Sequence, residues 1–441
     1  MNTELVNNMV GNSFNLKIEL PKNFYLSKDI INYTKELESS SKSCFISGRA
    51  GTGKSTFIHY FRNTSKKKII VLTFTGIASI NVKGRTIHSL FGFPPRLIGQ
   101  KDIKPLPNFM NTVDVIIIDE ISMVRADLLD AMDISLRKTR KSDLPFGGVQ
   151  MVFVGDVFQL SPIMMDKEQH IINQRYPEGP WFFNSHAYRK LDKKPLFFER
   201  VYRQEDSTFL QALDRIRENK ISEKLLAYFN NRVEGNKVLD KIPKKIMVLA
   251  PTNRRTNQLN LKKLNSLSSP EFTFESKVSG IFPDKYMPTE RSLKLKVGAQ
   301  IMTVINGDGY VNGSLGIIKE LEQNRIIVNI KNRLIKIEQV EWERFDYKKI
   351  KEKVYRPHVI GRFRQYPLKL AWASTIHKCQ GQTFNRVIID LDSGTFAHGM
   401  TYVALSRVKK IEGLSLVRKL NANDVKFDER IYKYHQSIQL F

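Results

Sequence analysis

A chain of 441 residues with 41% apolar and 26% charged side chains has room for two to four domains and is too apolar for a disordered tail. Two cysteines, Cys44 and Cys379, exclude a disulfide framework or a cysteine-built zinc site, and no apolar run approaches the roughly 18 residues of a membrane span. The 71 Lys and Arg against 44 Asp and Glu leave a charge of +27, which attracts polyanions and fits a nucleic-acid binder without establishing one.

Residues 1–24 are mixed and Asn-rich and read as an irregular lead-in. From 25 to 205 the pattern alternates strand and helix. Apolar runs at 44–47, 69–74, 113–118 and 149–155 are hydrophobic on both sides, as buried parallel strands are, with helical stretches at 53–62 and 122–138 between them. The alternation predicts a doubly wound α/β domain. Residues 84–108, with Phe91-Gly92-Phe93-Pro94-Pro95-Arg96, interrupt the rhythm and read as a small excursion. A second α/β pattern starts near 246 and resumes at 368–372, 387–391 and 414–417. Short strand-like pieces separated by turn residues fill the gap. The expected division is 25–205, then 206–284 with 366–441, and an all-β insertion over 285–365.

Residues 48–55 read Gly48-Arg49-Ala50-Gly51-Thr52-Gly53-Lys54-Ser55, a complete GxxxxGK(S/T) phosphate loop. It follows Cys44-Phe45-Ile46 and precedes Thr56-Phe57-Ile58, so strand, glycine loop and helix stand in the order such a loop needs. The glycines let backbone N–H groups wrap around phosphate oxygens, and the new helix points its positive end at them. Lys54 supplies a charge for the β- and γ-phosphates and Ser55 a hydroxyl for Mg²⁺. The apolar run Val115-Ile116-Ile117-Ile118 ends in Asp119-Glu120, where Asp119 is expected to hold the Mg²⁺ shell and Glu120 to orient and deprotonate water. Taken alone, such a pair is a strand ending in solvent-facing acids; after a complete phosphate loop that reading loses ground. Gln159 closes a further apolar strand and is placed to contact a γ-phosphate. Arg203 and Arg407 stand among 71 basic residues, and composition does not single them out.

The ordered set of segments does. The loop Gly48–Ser55, Asp119-Glu120-Ile121-Ser122-Met123, Gly155-Asp156-Val157-Phe158-Gln159-Leu160 and Val201-Tyr202-Arg203-Gln204 are followed by Ser374-Thr375-Ile376-His377-Lys378-Cys379-Gln380-Gly381-Gln382-Thr383 and Tyr402–Arg407. In order and spacing this resembles a superfamily-1 helicase of the PIF/RecD-like B branch. Thr75-Gly76-Ile77-Ala78, Gly84-Arg85-Thr86-Ile87-His88-Ser89-Leu90-Phe91 and Val311-Asn312-Gly313-Ser314-Leu315-Gly316 point to its PIF-type members. The resemblance covers about 40–420. It implies an α/β fold of two RecA-like P-loop motor domains with ATP between them, a wedge near 84–108 in the first, and an SH3-like β-insertion in the second. It further implies that Gly48, Ala50, Gly51, Thr52, Gly53 and Thr56 join Lys54 and Ser55 around the phosphates, with Gly381 opposite. Gln159, Arg203 and Arg407 would sense the γ-phosphate. Thr75, His88, Thr252, Asn253, Thr375, His377 and Lys378 would touch single-stranded DNA. Apart from the resemblance, Pro94 and Pro95 beside Phe91 and Phe93 read either as a stiff wedge at a duplex fork or as a packed loop, with Arg96 next to them a candidate nucleic-acid contact.

Two departures stand out. Such helicases carry a Gln upstream of the phosphate loop that reads adenine, and residues 1–53 contain none; Asn32 or backbone groups are candidates instead. Leu72-Thr73-Phe74-Thr75 also replaces the commoner Ala-Pro-Thr, leaving Thr75 in place.

From Lys348 to Lys369 eight Lys and Arg face one acid, Glu352, interleaved with Tyr355, Phe363 and Tyr366, the composition of a groove that holds and stacks single strands. The expected protein is a monomeric ATP- and Mg²⁺-dependent 5′→3′ DNA helicase acting on single-stranded and forked or tailed duplex DNA, with G-quadruplex and RNA–DNA hybrids as further substrates. The absence of long extensions leads to the expectation of a bacterial or phage-like, cytoplasmic form. A translocating ATPase with poor unwinding or RNA preference is the enzymatic alternative. A non-enzymatic binding module is the other, disfavoured because Glu120, Gln159, Arg203 and Arg407 are all present.

Overall fold

In the computed structural model the described residues are 20 and 26–440, less 95, 165, 205, 241, 244, 285, 286, 311, 312, 352 and 353. For 77, 80, 81, 166, 167, 345–351 and 354–358 the description is of the backbone alone. The expected lead-in thus lies outside the described residues save residue 20, as do Pro95, Val311 and Asn312.

Six parallel strands form the first sheet, in the order Arg85–Thr86, Ile69–Thr73, Val115–Asp119, Gln150–Gly155, Ser43–Gly48, Lys193–Phe198. Its inner strands are buried on both faces because their side chains alternate between two cores. Phe45, Ile116, Ile118 and Phe153 face one core, where the helix Ala126–Arg140 supplies Leu128, Leu129, Met132 and Leu136. Ile46, Ile117, Val152 and Val154 face the other, where the helix Lys54–Thr64 supplies Phe57, Ile58 and Phe61. Each such side chain contributes about 1.5–3 kcal/mol by leaving water.

A second parallel sheet runs Ala373–Thr375, Met247–Ala250, Val387–Ile389, Leu414–Leu416. Between its first two segments in sequence lies the β-rich insertion. Five antiparallel strands run Arg333–Ile337, Arg325–Ile330, Leu315–Glu322, Gln300–Thr303, Leu368–Leu370. Glu271–Glu275 pairs with Ser292–Lys296, and Lys277–Gly280 joins the long ribbon Val340–Lys351 and Val354–Gln365.

Three boundaries differ from the sequence reading. The β-rich part starts at Glu271, whose strand alternates charge with Phe272 and Phe274 straight after a polar helix and so gives a weak period of two. Leu368–Leu370, read as a return to the α/β pattern, pairs antiparallel with Gln300–Thr303. The terminal helix Glu429–Gln439, expected with the second α/β domain, packs on the first: Ile431 and Ile438 enter its core, and Tyr434 stacks on Phe183 with centroids 4.0 Å apart. Within the excursion, Phe91 and Phe93 stack 5.2 Å apart and are buried in that same core, so this aromatic pair is packing and not an exposed wedge.

Candidate nucleotide site and nucleic-acid face

The phosphate loop turns out of the buried strand Ser43–Gly48 into the helix Lys54–Thr64. Gly51 and Gly53 take φ of 83° and 87°, and a Cβ on Gly51 would come within 2.4 Å of Arg203 Cβ, so only glycine fits. Lys54 is 9% exposed and folds back, donating from Nζ to the carbonyls of Gly48 at 2.6 Å and Arg49 at 2.8 Å. Burial lowers its pKa, opposed by Asp156, Glu120 and Asp119. A cleft of about 1210 Å³ opens over the loop, lined by Ala50, Gly51, Thr52, Gly53, Lys54, Ser55 and Thr56 on one side. Gly381, Gln382 and Arg407 line it from the second sheet. Asn32 is exposed and does not line this cleft.

Asp119 ends the strand Val115–Asp119 beside the loop, with Ser55 Oγ 3.5 Å from its Oδ2. Burial, then the Glu120 carboxylate, pushes its pKa up to about 7. Glu120 turns the chain at a left-handed φ of 53°, its N–H donating to Asp119 Oδ1 at 2.9 Å. Two neighbouring carboxylates next to a hydroxyl fit a hard divalent cation that takes few protein oxygens and completes its shell with phosphate and water. No cluster of three or more His, Cys, Asp or Glu suited to a metal occurs among the described residues.

Gln159, 3% exposed, donates from Nε2 to Asp156 Oδ2 at 3.4 Å. Sequence reasoning missed what surrounds that carboxylate. Asp156 is fully buried; burial works against its charge, but Arg217 and Lys54 hold its pKa below the ordinary carboxylate value. Arg217 donates to Oδ1 from Nε at 3.3 Å and Nη2 at 3.0 Å while lying 4.1 Å over the Phe158 ring. Tyr402, on the second sheet's helix Met400–Leu405, donates to Asp156 Oδ2 at 3.4 Å and accepts the Ala50 N–H at 3.2 Å. One buried carboxylate thereby joins the phosphate loop, Gln159 and the second sheet.

Arg203 lies against Gly51, with Nη1 donating to the Ser406 carbonyl at 3.3 Å; burial lowers its pKa. Arg407 is 1% exposed and donates to the carbonyls of Val403 at 2.8 Å, Gln382 at 3.0 Å and Cys379 at 3.4 Å. Burial and then Arg203 push its pKa below the ordinary guanidinium value. Lys54 and Arg407, both buried, and the half-buried Arg203 are thus three cations around one cleft, and burial is the largest influence lowering the pKa of each. Gln380, also missed, reaches across and donates from Nε2 to Glu120 Oε2 at 2.9 Å.

The expected DNA residues fall into two groups on the two sheets. On the first, Thr75 Oγ1 accepts the Ala78 N–H at 3.2 Å, and His88 meets Phe74 edge-on at 5.6 Å. Phe74 packs against both motor-domain cores. On the second, Thr252 caps the helix Asn253–Asn265, Thr375 Oγ1 accepts the Lys378 N–H at 3.4 Å, and Lys378 Nζ donates to Asn253 Oδ1 at 3.4 Å. His377, held neutral by burial with its pKa lowered to about 4, stacks on the exposed Phe396. Pro94 is half-buried, and Arg96 forms a two-pronged pair with Asp102 at 2.8 and 2.9 Å, so its charge is engaged within its own loop. The stacking expected of Phe363 and Tyr366 is not available: both are buried in the β-rich part, against Phe282 and Phe274. The side chains of 348–358 lie outside the described residues.

Two parallel α/β sheets, one ending in a phosphate loop and the other presenting Arg407 to it, define a two-motor P-loop ATPase of RecA-like build. A family model for PIF1-like helicases matches residues 25–227. The ATP-dependent DNA helicase Pif1 of Campylobacter jejuni is 30% identical, with 90% of this chain and 95% of that protein aligned. The zebrafish ATP-dependent DNA helicase PIF1 is also 30% identical, over 91% of this chain and 61% of its own length. Among solved structures, the Pif1 helicase from Bacteroides in complex with ADP-AlF3 and single-stranded DNA is 33% identical with a TM-score of 0.79, covering 95% of this chain and 98% of that one. The chain belongs to the PIF1-like helicase family and is an ATP-dependent DNA helicase.

Proposed function

We propose that the chain moves 5′→3′ along single-stranded DNA and opens forked or tailed duplexes, hydrolysing ATP with Mg²⁺ in the cleft between its two sheets. The observation that carries this reading is the trio of cations lining one cleft, Lys54 in the first sheet's loop, Arg203 packed on that loop and Arg407 from the second sheet's side, around Asp119 and Glu120. A triphosphate is the anion that relieves all three at once.

Ser55 and Asp119 hold Mg²⁺, which when bound neutralises charge on the β- and γ-phosphates. The loop N–H groups and Lys54 fix the phosphates. Glu120 takes a proton from the attacking water as its oxygen bonds to the γ-phosphorus and the bond to the ADP oxygen breaks. Arg203 and Arg407 stabilise charge on the departing phosphoryl group, and Gln159 links its presence to Asp156. Closure on the triphosphate changes the spacing between the DNA residues Thr75 and His88 on one sheet and Thr252, Asn253, Thr375, His377 and Lys378 on the other, the basis of stepping. Pro94 and Arg96 sit on the excursion nearest the fork.

Strand displacement on 5′-tailed against 3′-tailed duplexes, with DNA and RNA tails, tests the reading. Unwinding of the 5′-tailed DNA substrate is expected; preference for the 3′ tail overturns the polarity, and turnover without displacement favours a translocating ATPase.

A further inference from the structure

Gln380 lies in the turn that connects the DNA residues Thr375, His377 and Lys378 to Gly381, whose φ is 78°. Its side chain is 4% exposed and crosses the cleft to Glu120, Nε2 to Oε2 at 2.9 Å. Its Oε1 is buried with no partner, so the Glu120 carboxylate is the group that orients this amide. The turn itself is held by Arg407, which donates to the carbonyls on both sides of Gln380, those of Cys379 and Gln382. Among the described residues Gln380 is the one side-chain hydrogen-bond partner of the Glu120 carboxylate; the Glu120 backbone is held in the left-handed region and its N–H is spent on Asp119.

We propose that Gln380 is the positioning residue for Glu120, and that through it DNA bound at the Thr375–Lys378 turn sets the orientation of the group that activates water. This rests on Glu120 being the base. An amide N–H on one carboxylate oxygen fixes the carboxylate plane and leaves the other oxygen for the water. A shift of the turn by about 1 Å breaks that bond, and misplacement on this scale is enough to cost about 10²-fold in rate. Hydrolysis is then fast only when the second sheet stands over the first with its DNA-side turn in register.

The test is a double-mutant cycle with Gln380→Met, which keeps the length of the side chain and removes the donor, Gln380→Glu, which places an acceptor against an acceptor, and Glu120→Gln. ATP turnover is measured with and without a saturating oligo-dT strand, together with KM for ATP and strand affinity by fluorescence anisotropy. Expected are a loss of tenfold or more in DNA-stimulated kcat for Gln380→Met, a larger loss for Gln380→Glu, and KM and strand affinity within about threefold of the parent. In the Glu120→Gln background Gln380→Met should add less than twofold, since residues acting through one group are not additive. Full additivity, or parallel losses in kcat and strand affinity, overturns the positioning role. If Glu120→Gln itself leaves turnover intact, the reading of Glu120 as base has failed instead.

Discussion

Arg407→Ala separates chemistry from architecture, because the structure sets a ceiling on its structural cost. The guanidinium serves three carbonyls and the Ser406 hydroxyl oxygen, but the Ser406 hydroxyl still donates to the Val403 carbonyl at 3.1 Å and the Cys379 carbonyl keeps the Gln382 N–H at 3.1 Å. The Gln382 carbonyl is the one whose described partner disappears. An unmet buried acceptor costs about 1–3 kcal/mol, and emptying the space of a fully buried side chain adds about 2–3 kcal/mol. Removing a cation that burial and Arg203 already disfavour offsets part of that. At roughly 2–4 °C per kcal/mol for a unit of this size, the melting transition should fall by about 10–20 °C and leave the protein folded at 25 °C. The chemical cost should be far larger, about 10³–10⁵ in turnover for losing an arginine at the departing phosphoryl group. The assay is ATP hydrolysis at 25 °C with saturating single-stranded DNA, beside thermal melting and nucleotide binding. Turnover within tenfold of the parent refutes the placement of Arg407 over the γ-phosphate. A melting loss well beyond about 20 °C with DNA binding abolished refutes the bond-by-bond ledger.

Lys54→Ala should abolish turnover while single-strand affinity stays within several-fold, because Lys54 contacts only loop carbonyls and none of the DNA residues; simultaneous loss of both activities in a folded protein would contradict this. Strand affinity should fall steeply with salt, with a log–log slope near −0.7 per phosphate contacted, and a flat response between low and physiological salt would mean that the +27 charge does not hold DNA. Burial lowers the pKa of His377, His398 and His435 to about 4 against about 6.5 when unfolded, so the stability they confer is complete above pH 6.5 and lost as pH falls toward 4. Melting followed from pH 7 to 4.5 should show the decline, and replacing His435 by Phe should make it shallower; an unchanged slope argues against the assignment.

Much of the first motor domain is written locally. Ser43–Gly48 and Val115–Asp119 are apolar on both faces, and the glycines of 48–53 mark a turn that only a phosphate loop needs, so strand, loop and helix follow from neighbours in sequence. The paired acids at Asp119 and Glu120 are legible for the same reason, as is the ordered set of segments that points to a helicase. What sequence leaves open is which distant groups meet. Arg203 and Arg407 carry no local mark among 71 basic residues; Arg203 is brought to Lys54 by packing on Gly51, and Arg407 by the packing of the second sheet over the loop. Gln380 on Glu120, Tyr402 between Ala50 and Asp156, and Arg217 on Asp156 span from 61 to 352 positions and have no periodicity to betray them. Phe363 and Tyr366 read as stacking groups by composition because an exposed and a buried aromatic look alike until neighbouring strands cover them. The helix Glu429–Gln439 shows its apolar stripe in sequence, but a stripe specifies only that some surface must cover it; tertiary structure decided that the surface was the first domain's Phe182, Phe183 and Tyr188.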